Sequence, residues 1–431
     1  MSEEFLTKDF HEIFRLGSDA LIKEKKYLKA IKLFSLCLNK DPKNSFVWSQ
    51  IGCAYLENRE MKMALECFNT SIFLEPSNLE TYLKLAYLFF EMGKIQESIS
   101  TFEKCLEIDP VNISALRNLA YIKLQLNFKN IENLNFFEKY RDKTSTLSLD
   151  HKKIPFEELK KEHLNIKKKK RIFIINEDGY GDDIMFARYL ILLKEKGFEV
   201  SLSTKKNLMN LLRSSPSLKD ININFHFPRD VFLNHDYKTH LMSLPYIFSE
   251  KISDIPKPLE INFTQLKEDL SPDLKNKINS IVEPKVGVSW SGNKSHRRDK
   301  VRSISINKFC EIFERYKNNH FFVIQKDLTD DEIITLSKYK NVIDCSRYLE
   351  DFSQTALIVS KMNKVITVDT SLVHLAGTIG IKTNLLLPKV SDWRWGFSGN
   401  KTEWYQSVYI SRQNDIDDWD PVFEDLYKSL S

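Results

Sequence analysis

The sequence lacks most of the features that would settle a function at a glance. No apolar run approaches the roughly 18 residues needed to span a bilayer, so no membrane span is expected. The opening residues Met1-Ser2-Glu3-Glu4 are acidic and no apolar segment follows them, unlike a secretory signal. Cysteine is sparse. Cys37, Cys53, Cys67, Cys105, Cys310 and Cys345 include no Cys-x-x-Cys pair, and four of them fall in helical patterns that face a core. Buried, reduced thiols in a cytoplasmic protein are the expectation, without a zinc site. Charge of one sign is also missing. Lys and Arg number 64 against 59 Asp and Glu, a net +5 that gives no argument for nucleic acid. Part of that excess sits in the run Lys167 to Arg171, read as a solvated flank.

What is present is length and pattern. At 431 residues the chain exceeds one ordinary core, and 42% apolar residues suffice for two or three. Pro42, Pro76 and Pro110 are spaced by 34 residues, each behind an acid: Asp41, Glu75 and Asp109. The same period carries Ala30, Ala64 and Ser98, then Phe34, Phe68 and Phe102, then Cys37, Ser71 and Cys105. Trp48 and Tyr82, Gly52 and Ala86, and Tyr55 and Phe89 also repeat. Paired helices with small residues at their contact and Pro ending the second helix match the tetratricopeptide pattern. Repeats are expected over 11–44, 45–78 and 79–112, with a degenerate fourth from Ile113, so that 1–140 forms an α-helical solenoid. Such arrays present a concave face to peptides or partner domains and perform no chemistry themselves.

Residues 141–170 are polar and read as a linker with a poorly placed helix. From Arg171 the pattern changes. Ile172–Ile175 is a β-branched strand, an amphipathic segment runs from Ile184 to Lys196, and Phe198–Leu202 is a second strand. After Pro284, strands are expected at 286–290, 321–324, 364–368 and 384–387, with helices at 306–316, 352–361 and 372–380. Alternating strands and helices imply parallel sheets. Two Rossmann-like domains follow, 171–283 and 284–431, with ligands expected at the carboxyl ends of the strands.

Three segments carry candidate chemistry. Asn176 to Asp183 follows a strand and opens a helix, with Gly179 and Gly181 allowing a tight turn among four acids. Asp182 or Asp183 is either a helix N-cap or a cleft-facing general base. Ser289 to Ser303 is a strand end followed by hydroxyls and cations, including Ser291, Asn293, Arg302 and Ser303. It suits a diphosphate, or else is a solvated basic loop. Thr367 to Gly377 places Asp369, Thr370, Ser371 and Leu372 where a strand gives way to a helix. Free N–H groups there form an anion site, or the sequence is ordinary capping, and His374 reads as a packed histidine. Lys326 at another strand end could meet phosphate or ribose. Trp393, within Asp392-Trp393-Arg394-Trp395, lines a pocket or is buried core.

Taken together, Glu177 to Tyr189, His240 to Pro245, Trp290 to Asn293, Arg302-Ser303, Val368 to Gly377 and Asp392 to Trp395 resemble bacterial tetratricopeptide-repeat glycosyltransferases related to the heptosyltransferases. The resemblance spans about 171–420. It implies a GT-B fold, in which two Rossmann-like domains face one another and the second holds a nucleotide-sugar donor. Asp182 matches the proposed general base of that family, and Arg302 lies near its cationic phosphate contact. Asp369 to Leu372 match the donor loop, with Ser371 in place of the usual Gly and His374 just beyond. Tyr180 stands where Leu is usual, a neutral change. Gly181, Asp183 and Trp393 are then further cleft residues. The order of repeats and catalytic part is similar in architecture to O-linked N-acetylglucosamine transferases. The implied activity is sugar transfer to a protein or glycan acceptor, inverting and independent of metal, with the nucleotide-sugar as substrate and no cofactor. No Asp-x-Asp follows any of the strands expected in the second α/β half, which fits the implied independence of metal. A scaffold with an inactive transferase-like domain is the alternative. A Rossmann oxidoreductase is disfavoured, because Gly179-Tyr180-Gly181 lacks the third glycine and sits among carboxylates.

Overall fold

A computed structural model of the chain describes residues 8–143, 156–165, 168–177, 179–225, 234–249, 255–266, 270–282 and 284–430. It divides into two compact units, 1–128 with 139–144 and 129–138 with 145–431. The first unit is built from α1 (Phe10–Ile22), α2 (Tyr27–Lys40), α3 (Ser45–Glu57), α4 (Met61–Leu74), α5 (Leu79–Glu91), α6 (Ile95–Ile108) and α7 (Ile113–Leu126). A further helix, α8 (Ile131–Lys143), follows.

The 34-residue period has a local cause. Asn44, Asn78 and Asn112 cap α3, α5 and α7, their side chains accepting from the backbone N–H of Val47, Thr81 and Ala115. The amide of each capping Asn donates to the acid three residues earlier, Asp41, Glu75 or Asp109, at 2.9, 3.0 and 3.2 Å. The acid before each Pro therefore orients the cap that starts the next repeat. Lys25, Arg59 and Gly93 recur at the same period with φ of 53°, 67° and 73°, closing the turn inside each repeat. Helix α1 starts 35 residues before α3, whereas α3, α5 and α7 start 34 apart, so the first repeat is one residue out of phase. The small residue under Phe34 is accordingly Gly17. A Cβ there would meet the ring at 2.7 Å, as one at Gly52 would meet Phe68 at 2.6 Å.

The second unit holds two parallel sheets. The first contains β1 (Glu157–Glu158), β2 (Arg171–Ile175), β3 (Glu199–Ser203), β4 (Asn222–Asn224) and β5 (Tyr237–His240), in the order β1-β5-β2-β3-β4. The second contains β6 (Lys285–Ser289), β7 (His320–Val323), β8 (Val342–Asp344), β9 (Lys364–Val368), β10 (Thr383–Leu387) and β11 (Val408–Arg412), in the order β11-β10-β9-β6-β7-β8. Counted from its own first strand, the second sheet has the doubly wound order 3-2-1-4-5-6, and β5-β2-β3-β4 repeats the first part of it. The helices are α9 (Tyr180–Phe186), α10 (Leu190–Glu195), α11 (Met209–Arg213), α12 (Leu244–Phe248), α13 (Pro272–Ser280), α14 (Asp299–Arg302), α15 (Ile306–Arg315), α16 (Asp330–Leu336), α17 (Phe352–Val359), α18 (Ser371–Ile379) and α19 (Asp420–Leu430). Val286, Val288, Phe313, Phe321 and Ile366 bury one face of the second sheet against Phe423 and Leu426 of α19. Each such side chain contributes about 1.5–3 kcal/mol.

Two expectations change. The linker over 141–170 is shorter, because β1 pairs with β5 and Leu164 is buried in the turn 161–165. Residues 144–155 and 166–167 lie outside the described residues. The segment expected as one amphipathic helix is α9 and α10 joined by a tight turn at 187–189, and it begins four residues earlier, at Tyr180. Among the described residues no helix is long and apolar enough to cross a membrane.

Candidate functional site

In the second sheet the connection reverses between β6 and β9, and the loops after both strands meet there. The β6 loop is fixed by Gln325, whose Oε1 accepts the backbone N–H of Trp290 and Ser291, both at 2.9 Å. Trp290 is buried and its indole N–H donates to Glu332 at 2.7 Å. Of the cations beyond, Arg298 and Arg302 are tied into the fold, whereas Lys294, Arg297 and Lys300 are exposed. Arg302 donates to the carbonyl of Asp369 at 2.9 Å, and Arg298 to the carbonyls of Val390 and Ser391 at 2.6 and 3.4 Å. Gly292 has no Cβ because the Arg302 guanidinium occupies that space. The Ser303 hydroxyl accepts from the Gly292 N–H and donates to Asp299, and Ser303 lines neither cavity described below. It is a loop brace, which corrects the expectation that it holds a donor.

The β9 loop ends in α18. Thr370 is its N-cap and takes the N–H of Leu372 at 3.3 Å. Two cavities, of about 680 and 430 Å³, adjoin this helix start and share Tyr180, Asn293, Thr370 and Ser371. The larger is walled by Asp182, Arg297, Arg298, Arg302, Asp392 and Arg394, with Gly181, Asp369 and His374 also lining it. The smaller takes Ser291, Lys326, Leu372, Gln325, Asp351 and Phe352 among its walls. The structure thus brings Asp182, Arg302 and Asp369 to Ser371 together, and places Lys326 with Ser291 in the adjoining cavity. Tyr180, read from the sequence as neutral, stands at the junction with its ring centroid 5.0 Å from that of Phe352.

The start of α9 separates the two adjacent aspartates. Neither is the N-cap, which is Gly179 without a side-chain bond. Asp183 is fully buried, accepts the Glu177 N–H at 2.8 Å and pairs with Lys205 at 2.8 Å. Burial pushes its carboxyl up to about 6 against the pull of Lys205. It is a structural ion pair and not a cleft residue, which corrects that expectation. Asp178 lies outside the described residues. Asp182 faces the larger cavity and contacts Arg394 of the other half. Gly181 serves a close approach to His374, since a Cβ would stand 2.6 Å from its ring.

The segment after β10 binds the two halves to each other. Trp393 is buried, stacked on Phe186 with centroids 6.3 Å apart and edge-on to Trp404. It belongs to this core and lines neither of the two cavities, which corrects its expected place in the cleft. Arg188 is 1% exposed and donates to the carbonyls of Pro256 and Trp404 at 3.1 and 3.0 Å. Arg412 of β11 donates to Ser391 Oγ at 2.6 Å and to the Trp395 carbonyl at 2.8 Å. His374 contacts the Tyr405 hydroxyl through Nδ1 at 3.1 Å and lies on Trp395. Burial, aided by Arg188, pushes it down to about 3, so it is neutral near pH 7. Asp392 accepts from the Arg394 guanidinium at 2.5 Å. Burial and the Asp369 carboxylate hold Asp392 above the usual carboxylate range, and burial does the same to Asp369 against Trp395 and Arg302. Sequence reasoning had Arg298, Arg394 and Asp392 inside its candidate segments but gave none of them a role. Arg298 and Arg394 have partners distant in the chain, Val390 and Asp182, and the available signal was the density of Arg and Asp in two strand-end loops. Among the described residues no group of three or more His, Cys, Asp or Glu stands together as a metal holder.

Comparison with known proteins bears on the first unit. The tetratricopeptide-repeat family model matches residues 47–78 and 79–112, and the N-terminal region carries these repeats. The out-of-phase first repeat lies outside the match. No curated protein matches the chain. Among solved structures, the chain is similar to a crystal structure of MamA, with 20% identity over 32% of this chain and 80% of that one, at a TM-score of 0.29. The first TPR of Spaghetti (RPAP3), bound to the HSP90 peptide SRMEEVD, is 24% identical over 26% of this chain and 89% of its own, at 0.25. The Sgt2 TPR domain from Aspergillus fumigatus is 23% identical over 27% and 78%, at 0.26.

Proposed function

We propose that the second unit is a GT-B glycosyltransferase that moves a sugar from a nucleotide-sugar donor to a protein or glycan acceptor. The observation that carries this reading is the start of α18, shared by two cavities at the switch point of a doubly wound sheet and flanked by Arg302. Helix N–H groups and arginines suit a leaving diphosphate. The smaller cavity, with Lys326, then takes the nucleoside, and the larger takes the sugar and the acceptor. In the transfer the acceptor hydroxyl gives its proton to Asp182 and its oxygen bonds to the anomeric carbon. The bond from that carbon to the phosphate oxygen breaks, and its electron pair leaves with the diphosphate. Attack from the Asp182 side, opposite the leaving group, inverts the centre.

The arginines supply the charge that a metal would otherwise supply, so turnover should survive a chelator. A strict manganese or magnesium requirement would remove that part of the reading. The repeats are the part suited to recruiting a macromolecular acceptor, because helical repeat arrays bind peptides on their concave face. The test of the whole is a thermal-shift screen against ADP, UDP, GDP, CMP and their sugar conjugates, followed by turnover of the conjugate that binds. Stabilisation by one nucleotide class with release of its nucleotide is expected, and no response to any of them would overturn it.

One observation favours a second reading, a binding protein with an inactive α/β unit. Asp182 is engaged by Arg394, which occupies the carboxylate that an acceptor's proton would need. Nucleotide binding without turnover of any conjugate would select it.

A further inference from the structure

Arg394 occupies an unusual position for a phosphate-binding cation. It lies in the turn Trp393–Trp395, with its guanidinium over the Trp393 ring at 4.7 Å. It bonds Asp392 of its own segment and Asp182 of the other half. In the same cavity Arg298 donates to the carbonyls of Val390 and Ser391, and Arg302 to the carbonyl of Asp369 and to the Asp299 carboxylate of its own loop. Those two hold the loops in place, whereas Arg394 joins two carboxylates across a cavity that opens onto the start of α18. Side-chain exposures of 12% for Arg394 and 18% for Asp182 leave the pair within reach of a ligand.

Two competing physical demands meet at this pair. While Arg394 holds Asp182, the guanidinium occupies the carboxylate that would take the acceptor's proton. A base works best with its proton affinity near the working pH. A diphosphate carries more charge than one carboxylate and accepts a guanidinium in a two-pronged geometry. We propose that Arg394 exchanges partners, resting on Asp182 in the empty enzyme and passing to the donor's diphosphate when donor binds. Asp392 keeps the side chain at the cavity wall throughout. The exchange frees Asp182 only when a leaving group is in place, so acceptor activation is coupled to donor binding. This proposal rests on the nucleotide-sugar reading above.

The coupling has a sign that a merely structural pair would not show. Donor binding must break the Asp182–Arg394 contact, so abolishing that contact should tighten nucleotide binding. Calorimetric titration of the full chain with ADP, UDP, GDP and CMP tests this in wild type, Asp182→Asn, Arg394→Ala and the double variant. For the nucleotide that wild type binds, Asp182→Asn should bind about 5- to 150-fold tighter, the usual span of a coupling between two sites. Arg394→Ala should bind more weakly than wild type. Removing the Asp182 charge could favour any anion, so the decisive comparison is made without Arg394, where Asp182→Asn should add no gain. Arg394→Lys keeps the charge without the fork, should retain part of the gain, and serves if the alanine variant does not fold. A nucleotide that binds wild type and Asp182→Asn alike overturns the exchange while leaving the donor reading standing. So does a gain that persists without Arg394. Wild type that binds none of the four overturns the donor reading and the exchange with it.

Discussion

In the repeat array the capping contacts are short in sequence, whereas in the α/β unit the contacts of the buried arginines are long. Asn78 reaches Thr81 and Glu75, three residues away on either side, and Asn44 and Asn112 do the same. Arg188 reaches Trp404 across 216 residues, and Arg298 reaches Val390 across 92. A repeat must satisfy its own backbone before its neighbours stack on it, so its capping chemistry recurs with the period. The α/β unit assembles loops from both of its sheets around one cavity, and buried arginines with several donors each can hold carbonyls from separate strands. The expected consequence is that polar substitutions act singly in the array and collectively in the α/β unit.

The largest effect should come from Arg188. Replacing a buried ion by an apolar side chain can be neutral when its partners leave with it. Here the partners are backbone carbonyls that stay behind. Arg188→Met should therefore destabilise the α/β unit by about 3 kcal/mol or more, from at least two buried carbonyls left without a donor. Five of the six tryptophans, Trp290, Trp393, Trp395, Trp404 and Trp419, lie in that unit, so guanidinium unfolding followed by tryptophan fluorescence reads it directly. A midpoint unchanged from wild type would mean that the long-range contacts are dispensable, and the contrast between the units would fail.

The second effect is an acid sensitivity confined to the α/β unit. His374 is held down to about 3 in the folded protein against 6.5 when unfolded, so the unfolded chain binds the extra proton first. Its contribution to stability is present above pH 6.5 and is lost as pH falls toward 3. Between pH 6.5 and 4.5 the loss should approach roughly 2–3 kcal/mol, at 1.36 kcal/mol per unit. His374→Gln can still hydrogen-bond the Tyr405 hydroxyl and has no proton to gain, so its stability should fall less over the same range. Equal acid slopes for the two proteins, read from urea midpoints, would remove His374 as the cause.

The same contrast explains what could be read in the sequence. The repeats were legible because their determinants recur: Pro76, Glu75 and Phe68 each have a counterpart 34 residues away on both sides. The first repeat blurred where its longer turn moved the small residue to Gly17. In the α/β unit the long apolar strands were legible, and β9 falls on the residues expected. Strands β1, β4, β5 and β8 were not, because two to four residues in a parallel sheet carry no pattern of their own, and the five-residue β11 also went unread. The start of α18 and the β6 loop could be found because each follows an apolar strand. Asp182 and Asp183 are neighbours of identical chemistry. Only the helix geometry tells which one faces Lys205 in the core and which one faces Arg394 in the cavity. Trp393 read as a pocket residue because its stacking partner, Phe186, lies far back in the chain.

The smallest effect is also the sharpest test of locality. Asn78→Ala removes one N-cap whose acceptor satisfies the Thr81 N–H at 3.1 Å, and the expected cost is about 1 kcal/mol. Asn44 and Asn112 occupy the same place in their own turns and share no partner with Asn78. Independent sites add, whereas sites in one network do not. The triple variant of Asn44, Asn78 and Asn112 to Ala should therefore cost about three times the single one, within roughly 0.5 kcal/mol per pair. Far-UV circular dichroism reads this unfolding through the helices, with Trp48 as the fluorescent probe on α3. In the α/β unit, Asp182 and Arg394 share one contact, so their two substitutions should cost less together than the sum of each alone. A triple cap variant that fell clearly short of the sum would show that the caps are coupled through the stacked helices. The array would then be as collective as the α/β unit, through contacts such as those of Ser45 with Glu75 and Ser71, which join successive repeats.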